Sequence, residues 1–140
     1  MSDRKVLCEI VSPEELLYSG EVRMVVARGI DGEIGILPLH TPLVTVLDIG
    51  VLRLKFGDRW EYVAVHGGYL EVREDKVTVL ADSAELASKI DVARAEEAKK
   101  RAELMLAESR GSEEEFYEAE KALRRALTRL AAVKKLETRN

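Results

Sequence analysis

Polar and apolar residues alternate through most of the first eighty-odd positions, then give way to apolar residues three and four apart. The alternating part breaks into short β-branched runs at residues 6–11, 21–26, 51–56, 60–65, 69–72 and 77–80, each bounded by turn formers. Alternation puts one face of a strand in a core and the other in water. Gly57-Asp58 is a two-residue loop suited to a type II′ hairpin, and Arg73-Glu74-Asp75-Lys76 closes a further hairpin. Roughly eight to ten short strands at this spacing predict a small sandwich or flattened barrel.

Between Asp82 and Ile90 the period changes. Asp91 is a good N-cap for a first helix reaching about Ser109. Gly111-Ser112 makes the turn, and Ser112 with Glu115 forms a capping box for a second helix over residues 113–136. Ala95, Ala98, Ala102 and Met105 on the first helix, and Phe116, Ala119, Leu123, Ala126, Leu130 and Val133 on the second, keep a heptad seam. The expected class is therefore β plus α: a β-sandwich over residues 1–86 and an antiparallel helical hairpin over 87–140. Alanine lines the first helix, so its seam removes little apolar area and the hairpin is marginal alone. Such a hairpin is open to stabilisation by a ligand or to opening by a partner. The alternative is permanent packing of both helices on the sandwich.

The heptad frame places Arg94, Arg101 and Arg129 at position g, with Arg125 at c beside it. In an antiparallel pair g meets g, so four guanidiniums share one flank. An anion relieves their repulsion, and planar forks suit phosphate oxygens. The flank predicts a polyphosphate site or contact with an acidic partner. Glu97, Glu108 and Glu118 occupy the same rows, and a solvated salt-bridge ladder of little energetic weight is the other reading.

Charge sharpens this picture. The chain has a net charge of −4, yet residues 1–88 hold 9 bases and 15 acids whereas residues 89–140 hold 13 and 11. Residues 111–120 carry five acids and no base, and 121–140 carry seven bases and one acid. That gradient complements a helix dipole, but its basic surplus exceeds what capping requires. An acidic protein surface or phosphate fits better than nucleic acid, because the whole chain is acidic and the basic end lacks interleaved aromatics.

Other chemistry is thin. No apolar run reaches membrane-span length and no signal-peptide pattern opens the chain, which predicts a soluble, cytosolic protein without a span. The single cysteine, Cys8, allows no intramolecular disulfide or cysteine-rich zinc site and reads as a small buried hydrophobe. His40 and His66 lie in different segments and indicate no metal site. Glutamine is absent, asparagine occurs once, and 34% of residues are charged, a composition that predicts a thermophilic source. There is neither a phosphate loop nor a dinucleotide fingerprint. His66-Gly67-Gly68 has the look of an esterase oxyanion turn, but no nucleophile motif accompanies it, and its glycines read as a turn between strands. Residues 31–40 form a turn-rich candidate contact loop. The chain is expected not to be an enzyme by itself.

Three stretches, Gly32-Glu33-Ile34-Gly35-Ile36-Leu37-Pro38-Leu39-His40-Thr41-Pro42-Leu43, Gly67-Gly68-Tyr69-Leu70-Glu71-Val72 and Lys76-Val77-Thr78-Val79-Leu80-Ala81-Asp82, stand ahead of the opener Ile90-Asp91-Val92-Ala93-Arg94-Ala95. In order and spacing they resemble the epsilon subunit of the F-type ATP synthase over essentially the whole chain. The resemblance implies about ten strands followed by two helices, and partners in gamma, the membrane c-ring and the alpha/beta catalytic ring. It implies a hairpin that extends along gamma to block ATP hydrolysis, and ATP as a ligand that holds the hairpin compact. By resemblance the ATP-binding positions are Glu85, Ile90, Asp91, Arg94, Ala95, Arg101, Arg125 and Arg129, with Glu96 and Glu97 as departures that add negative charge. Glu33 and His40 match positions facing the c-ring loops. The basic end of the second helix, with Arg124, Lys134 and Lys135, is the expected inhibitory contact with the catalytic ring. The implied location is the cytoplasmic face of a bacterial plasma membrane, peripheral to it. A stand-alone ATP-sensing module acting on another partner is the competing reading; a hydrolase is disfavoured by the missing nucleophile.

Overall fold

In a computed structural model, which describes residues 4–109 and 111–138, eight strands precede two helices. The strands are β1 (Val6–Val11), β2 (Leu16–Val22), β3 (Met24–Gly29), β4 (Gly32–Ile36), β5 (Leu43–Phe56), β6 (Arg59–Arg73), β7 (Lys76–Ala81) and β8 (Ala84–Leu86). A 3₁₀ turn at Ala87–Lys89 leads into α1 (Val92–Glu108) and α2 (Glu113–Glu137). The strands run in the order β2-β1-β7-β6-β5-β3-β4, with β8 also on β6. All neighbours are antiparallel except β1 and β7, which are parallel.

The expected short strands in the middle of the chain are joined into two long ones of 14 and 15 residues. β5 and β6 pair from Leu43↔Val72 to Phe56↔Arg59 and serve both layers of the sandwich. One half neighbours β7, the other β3 and β8. Local alternation cannot reveal this, because a strand that turns a corner keeps its period while changing layer. Gly67-Gly68, expected to form a turn, lies inside β6 instead. Their φ values are 84° and 132°, and a Cβ on Gly68 would meet the Leu80 carbonyl oxygen at 2.2 Å. The glycines let β6 pass close to its neighbour. Two further expectations are corrected. Residues 21–26 split at Arg23, whose N–H bonds the Lys55 carbonyl at 2.8 Å, and half of the presumed loop over 31–40 is strand β4.

The core matches the alternation. Val6, Cys8 and Ile10 of β1 meet Leu52, Leu54, Val63, Leu70, Val72, Val77 and Val79, all buried. Burial pushes the Cys8 thiol up to about 12, so it packs as a hydrophobe and supplies no thiolate.

The helices begin where the caps predict. Asp91 Oδ1 accepts from the Arg94 N–H at 3.2 Å, and Ser112 Oγ from the Glu115 N–H at 3.2 Å. Ala95, Ala102, Ala119 and Ala126 are buried along the seam. Met105 and Phe116, both assigned to the same seam, are 50% and 48% exposed, because the helices meet on alanine and the larger side chains near the turn are left outside. A second face of α2 reaches the sandwich: Ala132 packs with Ala64 and Ala87, flanked by Val51, Tyr62, Ile90 and Leu136.

Candidate ligand site between sandwich and hairpin

Four elements converge where α1 begins. β8 contributes Glu85, the 3₁₀ turn and its exit contribute Lys89 and Ile90, α1 contributes Asp91, Arg94, Ala95, Ala98 and Arg101, and α2 contributes Arg129. Together they line a cavity of about 390 Å³, within the range of small-molecule sites. The antiparallel fold-back brings Arg94 and Arg101 to the same cavity as Arg129, as the heptad frame requires. Four bases face two acids there. Asp91 is engaged by its helix cap, and the Glu85 carboxylate takes the Arg129 Nε–H.

Seven of the eight ATP-site candidates therefore share one cavity. Arg125, the eighth, lines a neighbouring cavity of about 410 Å³ with Lys121, Arg124, His66 and Asp82. It stands one turn before Arg129 on α2, on the side where its charge reaches His66. Lys89 was missed by sequence reasoning, although its charge two residues before Asp91 was a usable signal. The salt-bridge-ladder reading applies in part: Arg101 lies 4.0 Å from Glu97, both well exposed, and Lys121 3.3 Å from Glu118. Among the described residues Arg94 has no carboxylate at ion-pair distance.

His66 is the buried polar group at this junction. Its ring is 2% exposed, Nε2 stands 3.7 Å from the Glu85 carboxylate, and neither ring nitrogen has a hydrogen-bond partner. Burial, then the positive charge of Arg129 and Arg125, push its pKa down to about 4 against the pull of Glu85. The imidazole is neutral at pH 7.

Arg124, an expected inhibitory residue, is held in this conformation: its guanidinium lies 2.7 Å from Asp48 Oδ1 on β5. Burial alone would raise the Asp48 carboxyl. The Ile49 N–H and Arg124 outweigh it and hold the pKa below the ordinary value. Lys134 and Lys135 are exposed near the end of α2. The c-ring candidates are not brought into one cavity. Glu33 pairs with Arg53 at 3.1 Å, whereas His40 Nδ1 lies 2.7 Å from the Thr41 carbonyl oxygen. Among the described residues no group of His, Cys, Asp or Glu is placed to hold a metal ion, and no helix is long and apolar enough to cross a membrane.

The structure is thus a β-sandwich carrying a two-helix hairpin, with a basic cavity at their junction, and both parts match known family domains. Residues 5–87 match the family described as ATP synthase, Delta/Epsilon chain, beta-sandwich domain, and residues 88–134 match its long alpha-helix domain. The chain belongs to this delta/epsilon family. It is 51% identical to the ATP synthase epsilon chain of Desulforamulus reducens over 124 residues, which cover 89% of this chain and 93% of the relative. It is 50% identical to the epsilon chain of Dehalococcoides mccartyi over 131 residues, 94% of each. Among solved structures, a chain of the Euglena gracilis mitochondrial ATP synthase shares the fold with a TM-score of 0.78 at 21% identity, covering 92% of this chain and 81% of that one.

Proposed function

We propose that the chain is a non-catalytic central-stalk subunit of an F-type ATP synthase, joining gamma to the c-ring at the cytoplasmic face of a bacterial plasma membrane. Its hairpin restrains ATP hydrolysis when it leaves the sandwich for the alpha/beta catalytic ring, and ATP is the ligand of the compact form. The relatives' name supports the subunit assignment. The Euglena structure is described as OSCP/F1/c-ring, and a Tetrahymena thermophila structure with a TM-score of 0.59 as central stalk/c-ring. Val46, Tyr69 and Leu80 form an exposed apolar row across β5, β6 and β7, a surface suited to gamma. Glu33 and His40 are the c-ring candidates. Arg124, Lys134 and Lys135 are the inhibitory ones, with Arg124 released from Asp48 when the hairpin leaves.

The observation that carries the ATP reading is the cavity itself. Glu85 of the sandwich, Arg94 and Arg101 of α1 and Arg129 of α2 are together only while the hairpin is docked, so a ligand spanning them binds one state and shifts its population. Titrating ATP against a fluorophore pair on sandwich and α2 tests this. Energy transfer should rise and the melting temperature should increase by mass action. Arg94→Ala or Arg129→Ala should each weaken binding by about 1.5–3 kcal/mol, the scale of hydrogen bonds to charged groups. No heat and no thermal shift at millimolar ATP would end the sensor reading and leave the family assignment intact.

A further inference from the structure

The cavity beside α1 has a counterpart on the other flank of α2. Arg124, Thr128, Ala131 and Lys135 recur four, three and four residues apart, so they form one stripe along that helix. The helical turn places Ala132, packed on Ala64 and Ala87, between this stripe and Arg129. α2 therefore rides on the sandwich with a basic cavity on each side. The second cavity runs between the stripe and strands β3, β4 and β5, and its volume of about 670 Å³ is of small-molecule size.

Its charge is unbalanced. Arg28 and Arg53 come from the sandwich, Arg124 and Lys135 from α2, and among the described residues Glu33 is the one acid in the wall. Glu33 takes Arg53 at 3.1 Å, and Asp48, outside the cavity, takes Arg124 at 2.7 Å. Among the described residues neither Arg28 nor Lys135 has a carboxylate at ion-pair distance. Two cations are left over, one on each side of the groove. A glycine seats the first of them. A Cβ on Gly50, in the interior of β5, would stand 2.7 Å from the Arg28 Cδ and 2.9 Å from its Cβ. Glycine inside a strand gives up stability, and here it lets the arginine stem lie on β5. The charge of Arg28 is felt at Asp48, which puts the guanidinium on the Arg124 side.

We propose that this groove is a second anion site, separate from the ATP cavity, which takes a small polyvalent phosphate bridging Arg28 of the sandwich and Lys135 of α2. Planar guanidinium forks bind phosphate oxygens in pairs, and a lysine adds a compact point charge. Val51 and Leu127 supply an apolar floor for the organic body of a phosphate ester. Both walls are in place only while α2 is docked, so the ligand favours the docked hairpin. The site does not depend on the ATP reading, because the two cavities share no residue.

The test uses the full chain carrying Arg94→Ala and Arg101→Ala, which removes two cations from the ATP cavity. Calorimetry with inorganic pyrophosphate and with a sugar bisphosphate, at fixed ionic strength, measures binding. A fluorophore pair on sandwich and α2 follows docking. At least one of the two ligands should bind and raise energy transfer. Pyrophosphate as the tighter ligand would identify a free phosphate chain, and the bisphosphate as the tighter one an organic phosphate on the apolar floor. Arg28→Gln and Lys135→Gln should each weaken binding about tenfold, with the melting temperature of the unliganded chain unchanged. Lys100→Gln, outside both cavities, should bind as its parent does. Equal weakening by Lys100→Gln would reduce the effect to overall charge and overturn the site. Binding by the wild-type chain but not by the Arg94→Ala, Arg101→Ala chain would assign the anion to the ATP cavity and also overturn it. No heat with either ligand at millimolar concentration, or binding without a rise in energy transfer, would overturn it as well, and none of these results bears on ATP binding.

Discussion

The sandwich and the hairpin bury different kinds of side chain. All twelve of the largest fully buried residues, from Ile10 and Leu52 to Val77 and Val79, belong to the sandwich. Every buried hydrophobic residue on α1 and α2 is an alanine. At about 0.8 kcal/mol per methylene removed from water, a valine–leucine core outweighs an alanine seam several-fold for the same number of residues. The sandwich is therefore the rigid body. The hairpin depends on its contact with the sandwich through Ala132 on Ala64 and Ala87, and on the Arg124–Asp48 and Arg129–Glu85 pairs. An element held by so little apolar area can be docked or released by a ligand, which fits the proposed regulation.

The comparison is broken most strongly in the sandwich core. Leu70→Ala should cost about 2–5 kcal/mol, through lost transfer energy and a residual cavity, and should appear as a shifted midpoint of chemical unfolding. A cost below about 1 kcal/mol would mean that the core is not the rigid part. The seam gives the next effect. Ala126→Leu forces a larger side chain into the close approach of α1 and α2, at about 1–3 kcal/mol. Because the sandwich does not depend on that seam, the helical signal should melt earlier while the β transition stays in place. A single merged transition shifted as a whole would show one cooperative unit instead.

The smallest effect is electrostatic and lies between the two regions. His66 has a folded pKa of about 4, below its ordinary 6.5, so the folded state binds fewer protons than the unfolded one in that window. Its contribution to stability is complete above about pH 6.5 and is lost progressively as pH falls toward 4. His66→Gln should flatten the pH dependence of hairpin release across that interval. An unchanged slope would show that other groups govern acid release.

Much of this was legible locally. The core face of β1, both helix caps and the seam alanines follow from period and capping chemistry, which act over a few residues. The grouping of Arg94, Arg101 and Arg129 was legible because the heptad frame puts all three at position g, and g meets g when the two helices pair antiparallel. The long strands β5 and β6 were hidden, since alternation is the same on either side of a bend. Gly67-Gly68 reads as a turn in sequence because glycine permits both a turn and a close passage of strands, and only the neighbouring Leu80 carbonyl distinguishes them.

Period and heptad register, set by neighbours along the chain, determined a sandwich followed by a basic-flanked hairpin. Tertiary structure alone decided which groups meet across distant segments. Leu39 finds Asp75 36 residues away, Arg129 finds Glu85 across 44, and Arg125 is carried to the His66 side of the junction. The physical reason is that a side chain's partner depends on how two rigid elements are oriented in space, and that orientation is set by the packing of the whole core.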